Sequence, residues 1–115
     1  MPVNQDAKTM EIADWRNKID ELDRRLVDLL NERAQAAHEI GKLKRNTSMP
    51  IYEPEREKRI FENILRVNRG PLPDSELRTV YERIIDVMRN IQKNEIAPKT
   101  ESGSKQTEFD VEVND

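Results

Sequence analysis

The sequence has no cysteine and a single histidine, His38, among its 115 residues. It therefore offers no disulfide framework, no thiolate metal site and no cysteine nucleophile, and one histidine cannot build a zinc site alone. No apolar run approaches the roughly 18 residues of a membrane span. The first residues also lack the basic and apolar segments of a signal peptide. We expect a soluble, cytoplasmic protein without a metal site.

The chain also lacks an excess of basic residues. Its formal net charge is −3, and residues 96–115 alone account for it, because they hold two lysines and five acidic residues. Residues 1–95 are balanced, with 18 basic and 18 acidic side chains. Since nucleic-acid-binding proteins usually carry a clear basic excess, this composition disfavours that class.

Apolar residues recur through the first half of the chain at alternating spacings of three and four. No proline interrupts the pattern, and Gly41 is its only glycine. Such a seam predicts one long helix over roughly residues 10–44. We call these positions the seam; they are Ile12, Trp15, Ile19, Leu22, Leu26, Leu29, Arg33, Ala36, Ile40 and Leu43.

Two shorter helical patterns follow the seam. Turn-forming residues occupy positions 46–50, and Pro54 suits the first turn of a second helix. The stretch NRGPLPD ends that helix, and Asp74 or Ser75 can cap a third one. The apolar side of the third helix is predicted to consist of Leu77, Val80, Tyr81, Ile84, Met88 and Ile91. Pro98 ends the third pattern, and a polar, acidic segment remains. The sequence thus predicts an all-α domain of three helices over residues 1–95 and a disordered acidic tail over residues 96–115.

The length of the first helix bears on assembly. A helix of about 34 residues is about 50 Å long, whereas a compact monomer of this size has a radius of gyration near 13 Å. Two shorter helices cannot cover such a seam within one subunit. We therefore predict an intertwined helical homodimer with two-fold symmetry.

Two cations lie on or near the seam. Arg33 occupies a seam position, where an unpaired buried charge would cost several kcal/mol. Lys44 follows 11 residues later, about 20° away around the helix and about 16 Å along its axis. The two side chains can converge on a small anion. The alternatives are a salt bridge between subunits or an aliphatic stem that reaches solvent with its charged end.

Arg16 is a third cation beside the seam. It precedes Arg33 by 17 residues, or about 25 Å along a helix, so no small ligand can touch both within one chain. Across an antiparallel dimer, Arg16 of one subunit can approach the site of the other. The alternative is an ordinary surface arginine.

The two shorter helices carry further polar residues near their apolar faces. Arg56 and Glu57 stand in the first turn of the second helix, and Arg56 borders the core four residues before Ile60. Gln92 falls one turn after Met88 on the apolar side of the third helix, where a glutamine needs partners. The alternatives are a helix-start charge for Glu57 and a helix-end polar residue for Gln92.

Together these residues suggest a pocket with several cations, one glutamate and one glutamine, and without a nucleophile–base pair. Arginines bind carboxylates with two parallel hydrogen bonds. The pattern fits a small dicarboxylate and a reaction that depends on shape and charge stabilisation more than on proton transfer.

Two stretches, WRNKIDELDRRLVDLLNERAQAAHEIGKLK and IYEPEREKRIFENI, resemble the all-helical chorismate mutases. The combination of R-x-x-I-D-x-L-D, L-L-x-E-R, E-I-G-x-x-K and P-x-R-E is specific, although each motif alone is weak. The resemblance covers about residues 12–92. It is strongest to the domain often fused to an aromatic-pathway synthase, here without that synthase.

The resemblance implies an intertwined dimer with two active sites that convert chorismate to prephenate by a Claisen rearrangement, without a covalent intermediate or a cofactor. It implies that arginines clamp the two carboxylates of the substrate in a reactive conformer. Two donors would stabilise the negative charge that develops on the ether oxygen, and a glutamate would accept from the ring hydroxyl. By position, the clamp is Arg33, Arg56 and the other subunit's Arg16, the donors are Lys44 and Gln92, and the acceptor is Glu57.

Two positions depart from the pattern of the resembled family. Glu53 replaces a common aspartate in the loop before the second helix, and Met88 replaces a small polar residue one turn before Gln92. Because both positions usually touch the substrate, we include both residues among the expected substrate-binding positions.

The residue types leave other functions open. A lyase of the same fold that removes pyruvate from isochorismate would use much the same pocket. A non-catalytic regulatory module that docks on an aromatic-pathway synthase, with the acidic tail as a contact, is a second alternative. A purely structural dimeric helical module is the third.

Overall fold

The computed structural model describes residues 9–96 and contains three helices. We name them α1 (Ile12–Arg45), α2 (Pro54–Val67) and α3 (Asp74–Ile96). The described part of the chain contains no strand, so the predicted all-α fold with a long first helix is confirmed. None of the three helices is long and apolar enough to cross a membrane.

The helix ends agree closely with the sequence pattern. α1 begins two residues later and ends one residue later than predicted. α3 ends at Ile96, one residue inside the range predicted as a tail. The rest of the predicted disordered tail, residues 97–115, lies outside the described residues, as do residues 1–8.

Local chemistry explains where α2 begins. Pro54 starts the helix, where a missing N–H group costs nothing because the first N–H groups of a helix have no partner within it. Glu55 and Glu57 lie in the first turn, at the positive end of the helix dipole.

The connection from α2 to α3 is organised by one asparagine. Asn68 Nδ2 donates to the carbonyl of Leu72 and to Asp74 Oδ1, and Asn68 Oδ1 accepts from the backbone N–H of Gly70. Gly70 has a φ of 73°, a left-handed conformation that favours glycine.

The chain divides into two compact units, one up to Arg33 and one from Ala34 onward. The second unit contains the core, formed by the buried side chains of Ala37, Ile85 and Met88. Gly41 is also buried. A Cβ atom at Gly41 would lie 3.0 Å from the Cα of Gln92 and 3.0 Å from the Cβ of Glu95. The absence of a side chain at Gly41 therefore allows α1 and α3 to pack closely.

The buried face of α3 differs in part from the predicted one. Met88 is buried as expected, but Val80 is 50% exposed and Ile85, which the pattern did not select, is buried. The reason is the helix period: Ile85, Met88 and Gln92 succeed each other at spacings of three and four, and this stripe faces α1.

The seam of α1 remains exposed in the single chain. In the second unit, Ile40 and Leu43 on the seam are 45% and 68% exposed, whereas Gly41 and Lys44, each one residue further, are buried. α1 therefore packs on α3 with the stripe next to the seam. Within the first unit, the exposed seam residues are Ile12, Trp15, Ile19, Leu22, Leu26 and Leu29.

Candidate active site

Lys44 is a buried cation in the second unit, with only 5% of its surface exposed. Its Nζ lies 2.7 Å from Glu53 Oε2, and it donates to Gln92 Oε1 at 2.9 Å and to the carbonyl of Ile51 at 3.3 Å. An ammonium group has three N–H donors, so each donor has a partner. We call Lys44, Glu53 and Gln92 the Lys44 cluster.

Three segments of the chain bring this cluster together. Lys44 lies in the last turn of α1, and Gln92 lies near the end of α3. Glu53 immediately precedes α2, where its side chain makes no hydrogen bond to the start of the helix and instead reaches Lys44. The close approach of α1 and α3 at Gly41 places Gln92 within reach of Lys44.

The contact with Lys44 orients the amide of Gln92. Its Oε1 atom accepts from Lys44, so its Nε2 group is directed away from the ammonium and serves as a donor. The cluster thus combines a fixed positive charge with a fixed amide donor. Such donors can stabilise negative charge that develops on an oxygen atom during a reaction.

Glu57 has an arginine partner from α3. Arg89 donates to Glu57 Oε2 from both Nη2, at 2.7 Å, and Nε, at 3.2 Å. Its Nη1 donates to Asp86 Oδ1 at 3.1 Å, and the guanidinium carbon lies 5.4 Å from the ring centroid of Tyr52. The hydrogen bond with Glu57 raises the pKa of Arg89 and outweighs the lowering caused by burial. The guanidinium is therefore charged whenever the protein is folded near neutral pH.

Arg89 was not among the residues predicted from the sequence. A signal for it exists, because Arg89 follows Ile85 by four residues and precedes Gln92 by three, which places it on the inward stripe of α3. Its role depends on Glu57, 32 residues earlier, and periodicity does not reveal a contact between two helices.

The other predicted site residues lie as follows. Arg56 is exposed at the start of α2, and Met88 is buried in the core of the second unit. Arg16 is exposed and Arg33 is half-buried, and both belong to the first unit. Direct contacts thus join Lys44, Glu53 and Gln92 among the eight predicted residues, while Glu57 contacts Arg89.

Among residues 9–96, no three histidine or acidic side chains lie close enough together to hold a metal ion. The donors of the Lys44 cluster, which are the Lys44 ammonium and the Gln92 Nε2 group, fit an oxygen atom of a small organic molecule.

Comparison with known proteins gives concordant results. The sequence profile of the family described as chorismate mutase type II matches residues 15–93. A bifunctional chorismate mutase/prephenate dehydratase of Aquifex aeolicus is 40% identical over 87 residues, which cover 72% of this chain and 24% of that protein. The chain thus spans about a quarter of the length of this relative.

Two shorter relatives match over most of their length. A chorismate mutase of Methanocaldococcus jannaschii is 30% identical over 84 residues, which cover 72% of this chain and 85% of that protein. The crystal structure of a Helicobacter pylori chorismate mutase in complex with prephenate is 30% identical, with a TM-score of 0.67 over 74% of this chain and 92% of that one. With a family profile that matches most of its length and a fold shared with a solved member, the chain belongs to the chorismate mutase type II family.

Proposed function

We propose that this protein is a chorismate mutase that converts chorismate to prephenate in aromatic amino acid biosynthesis by a Claisen rearrangement. The observation that carries the proposal is the Lys44 cluster, in which a buried ammonium and an oriented amide are held together. The Helicobacter pylori relative, solved in complex with prephenate, supports the same substrate class.

Lys44 and Gln92 are proposed to stabilise the negative charge that develops as the ether bond breaks. In the rearrangement, the ether C–O bond of chorismate breaks as a new C–C bond forms, and negative charge develops on the ether oxygen. The longest contact of the Lys44 ammonium, 3.3 Å to the carbonyl of Ile51, is the one that the ether oxygen replaces when substrate binds. That N–H and the Gln92 Nε2 group then strengthen their hydrogen bonds to the oxygen in the transition state. No proton transfer, covalent intermediate or cofactor is needed for this step.

The remaining predicted residues are proposed to bind and orient the substrate. Arg33, Arg56 and Arg16 hold the two carboxylates, because guanidinium groups pair with carboxylates in fixed geometry. Glu57 accepts from the ring hydroxyl. Met88 and Glu53 take the two positions where the chain departs from the family pattern, and Glu53 contributes by holding Lys44 in place.

We propose that the active form is a homodimer in which Arg16 serves the partner's site. The seam of α1 supports this arrangement, since its large apolar side chains are exposed in the single chain while the adjacent stripe packs on α3. An exposed apolar stripe of this length is typical of an interaction surface.

Location and further partners are also proposals. We infer a cytoplasmic enzyme whose product passes to a prephenate-consuming enzyme, as the paired activities in the name of the Aquifex aeolicus relative suggest. Docking to an aromatic-pathway synthase is a second proposed partnership and is tested by mixing the two proteins.

The loss of chorismate absorbance, with prephenate confirmed as the product, tests the proposed activity. We expect turnover by the purified protein and a loss of about 10²-fold or more in kcat/KM for Arg33→Ala, because a clamp on a substrate carboxylate is removed. Absence of turnover in a folded dimer would contradict the proposal. Isochorismate assayed under the same conditions would identify the lyase alternative by release of pyruvate.

A further inference from the structure

We propose that Arg89 is a positioning residue of the active site, which fixes the carboxylate of Glu57 so that one of its oxygens faces the ring hydroxyl of the substrate. This inference rests on the proposed function, since it assigns Glu57 to the substrate. It adds a residue that neither the sequence pattern nor the resemblance to the family includes.

The contact geometry supports a role in orientation. Two nitrogens of Arg89, Nε and Nη2, both donate to the same carboxylate oxygen, Glu57 Oε2. The pair of donors restricts rotation of the carboxylate about its last bond and directs Oε1 away from the guanidinium. A carboxylate held in this way presents one oxygen as the acceptor for a hydroxyl group.

Arg89 is itself held from two further sides. Asp86, one turn earlier on α3, accepts from Nη1, and the ring of Tyr52, next to Glu53, lies beneath the guanidinium. Both the glutamate and the arginine are largely shielded from solvent, with side-chain exposures of 22% and 30%. A guanidinium fixed on three sides loses little further freedom when substrate binds, which is the condition for preorganisation.

Charge argues that Arg89 acts through Glu57 and does not bind a substrate carboxylate directly. Its single positive charge faces two carboxylates, those of Glu57 and Asp86. The local balance is therefore negative, and a third carboxylate from a ligand would be repelled. A ring hydroxyl, which is a donor, is the group that this arrangement attracts.

The placement on α3 links the two halves of the site. Arg89 precedes Gln92 by three residues, so both side chains project from one turn of the helix. The same turn thus holds Glu57 through Arg89 and Lys44 through Gln92. The groups proposed to contact the hydroxyl and the ether oxygen share one rigid support.

A double-mutant cycle tests the inference with Arg89→Met, Glu57→Gln and the double variant, assayed with chorismate. We expect Arg89→Met to lower kcat/KM about tenfold, and we expect a much smaller further loss when it is added to Glu57→Gln, because Arg89 acts through that carboxylate. Arg89→Lys should recover part of the activity, since it keeps the charge and one donor. A purely structural contribution to folding would not produce this coupling at temperatures well below the melting point.

Arg78→Met is the matched control. Arg78 also connects α3 to α2, with its guanidinium carbon 4.7 Å from the ring centroid of Phe61, but it has no contact with Glu57 among the described residues. Its replacement should change the melting temperature by an amount similar to that of Arg89→Met and leave kcat/KM within about twofold.

The outcomes separate the inference from the proposed function. If the unmodified protein turns over chorismate and Glu57→Gln reduces the rate, but Arg89→Met has no effect, raises kcat/KM or adds fully to Glu57→Gln, the inference is wrong and the proposed function stands. If the folded, unmodified protein shows no turnover of chorismate, the proposed function fails, and the role of Arg89 fails with it.

Discussion

Lys44 is a buried residue whose burial is unfavourable by itself but holds its positive charge in a fixed position. Burying an ammonium group is unfavourable unless it is paired and hydrogen-bonded. Here the carboxylate of Glu53 balances the charge, and the amide of Gln92 and the carbonyl of Ile51 accept the remaining hydrogen bonds. The side chain is therefore held in a single position before any substrate arrives, which is what transition-state stabilisation by a fixed charge requires.

Replacement of Lys44 by methionine should separate stability from activity. We expect kcat/KM for chorismate to fall about 10²- to 10³-fold, the typical loss when a donor to a developing charge is removed. The free energy of unfolding should fall by only about 1–3 kcal/mol, because methionine fills the apolar space of the lysine stem and Glu53, at 34% exposure, remains accessible to water. Steady-state kinetics and urea unfolding measure the two effects.

Lys42→Met provides the control for this substitution. Lys42 lies on the same turn of α1 and forms an ion pair with Glu39 that is 3.4 Å long and largely exposed. Since exposed pairs contribute about 0–1 kcal/mol, neither stability nor kcat/KM should change much. Turnover by Lys44→Met within threefold of the unmodified protein would remove Lys44 from the proposed mechanism.

At the scale of helices, the sequence predicted the elements well and their mutual contacts only in part. The uninterrupted seam and the positions of Pro54 and Pro98 placed the three helices to within two residues, because periodicity and proline chemistry are local. The buried face predicted for α3 was partly wrong, because it included Val80, which is exposed, and omitted Ile85, which is buried. Which stripe of a helix is buried depends on its neighbour, and a one-dimensional pattern does not contain that neighbour.

The same distinction applies to the candidate site. Lys44 was selected because it shares a face of the first helix with Arg33, and Gln92 because a glutamine on an apolar stripe needs partners. The structure pairs Lys44 and Gln92 with each other. Arg89 was missed because its significance comes from its contact with Glu57 across two helices. The positions of individual charges were thus readable from the sequence, whereas their pairing required the fold.

The packing of α1 against α3 depends on the missing side chain of Gly41. Alanine is the better helix former by about 1 kcal/mol, so in an open helix Gly41→Ala would stabilise the protein. Here the added Cβ would meet the backbone of Gln92, at 3.0 Å from Cα and 3.2 Å from the carbonyl oxygen. A backbone neighbour cannot move aside as a flexible side chain can, so α3 must shift as a whole.

We therefore expect Gly41→Ala to destabilise the protein by about 1–2 kcal/mol in spite of its helix propensity, and Gly41→Val to destabilise it further. Both substitutions should also reduce kcat, because a displaced α3 moves Gln92 relative to Lys44. Thermal unfolding and steady-state kinetics on the series of three side chains provide the measurement. A melting temperature that rises with Gly41→Ala would show that the two helices are not in close contact at this position.

At the scale of the whole molecule, the exposed seam of α1 bears on assembly. Its large apolar residues stay exposed in the single chain, and α1 and α3 pack through a different stripe, so the fold leaves the seam available for a second copy. An interface with two-fold symmetry presents the same surface from both subunits, which suits a helix that is apolar along one side. In such a dimer, an exposed residue near the start of α1, such as Arg16, belongs to one chain and can complete the site of the other.

Complementation between two inactive variants tests this arrangement directly. Arg16→Ala and Arg33→Ala should each reduce kcat/KM strongly when alone, because every site of a homodimer then lacks one arginine. After subunits of the two variants are mixed and allowed to exchange, half of the dimers are mixed, and one of the two sites in each mixed dimer carries both arginines. Activity should recover to about a quarter of that of the unmodified protein.

Leu29→Glu and a control variant test whether the recovery of activity depends on dimer formation through the seam. A charge on the seam should prevent dimer formation and abolish the recovery when it is added to both partners, as sedimentation will show. Asn31→Glu places the same charge two residues away, about 200° around the helix and on an exposed position, and should leave exchange and recovery intact. Exchange that is demonstrated by mass but yields no activity would mean that Arg16 does not complete the partner's site, and the seam would then serve assembly alone.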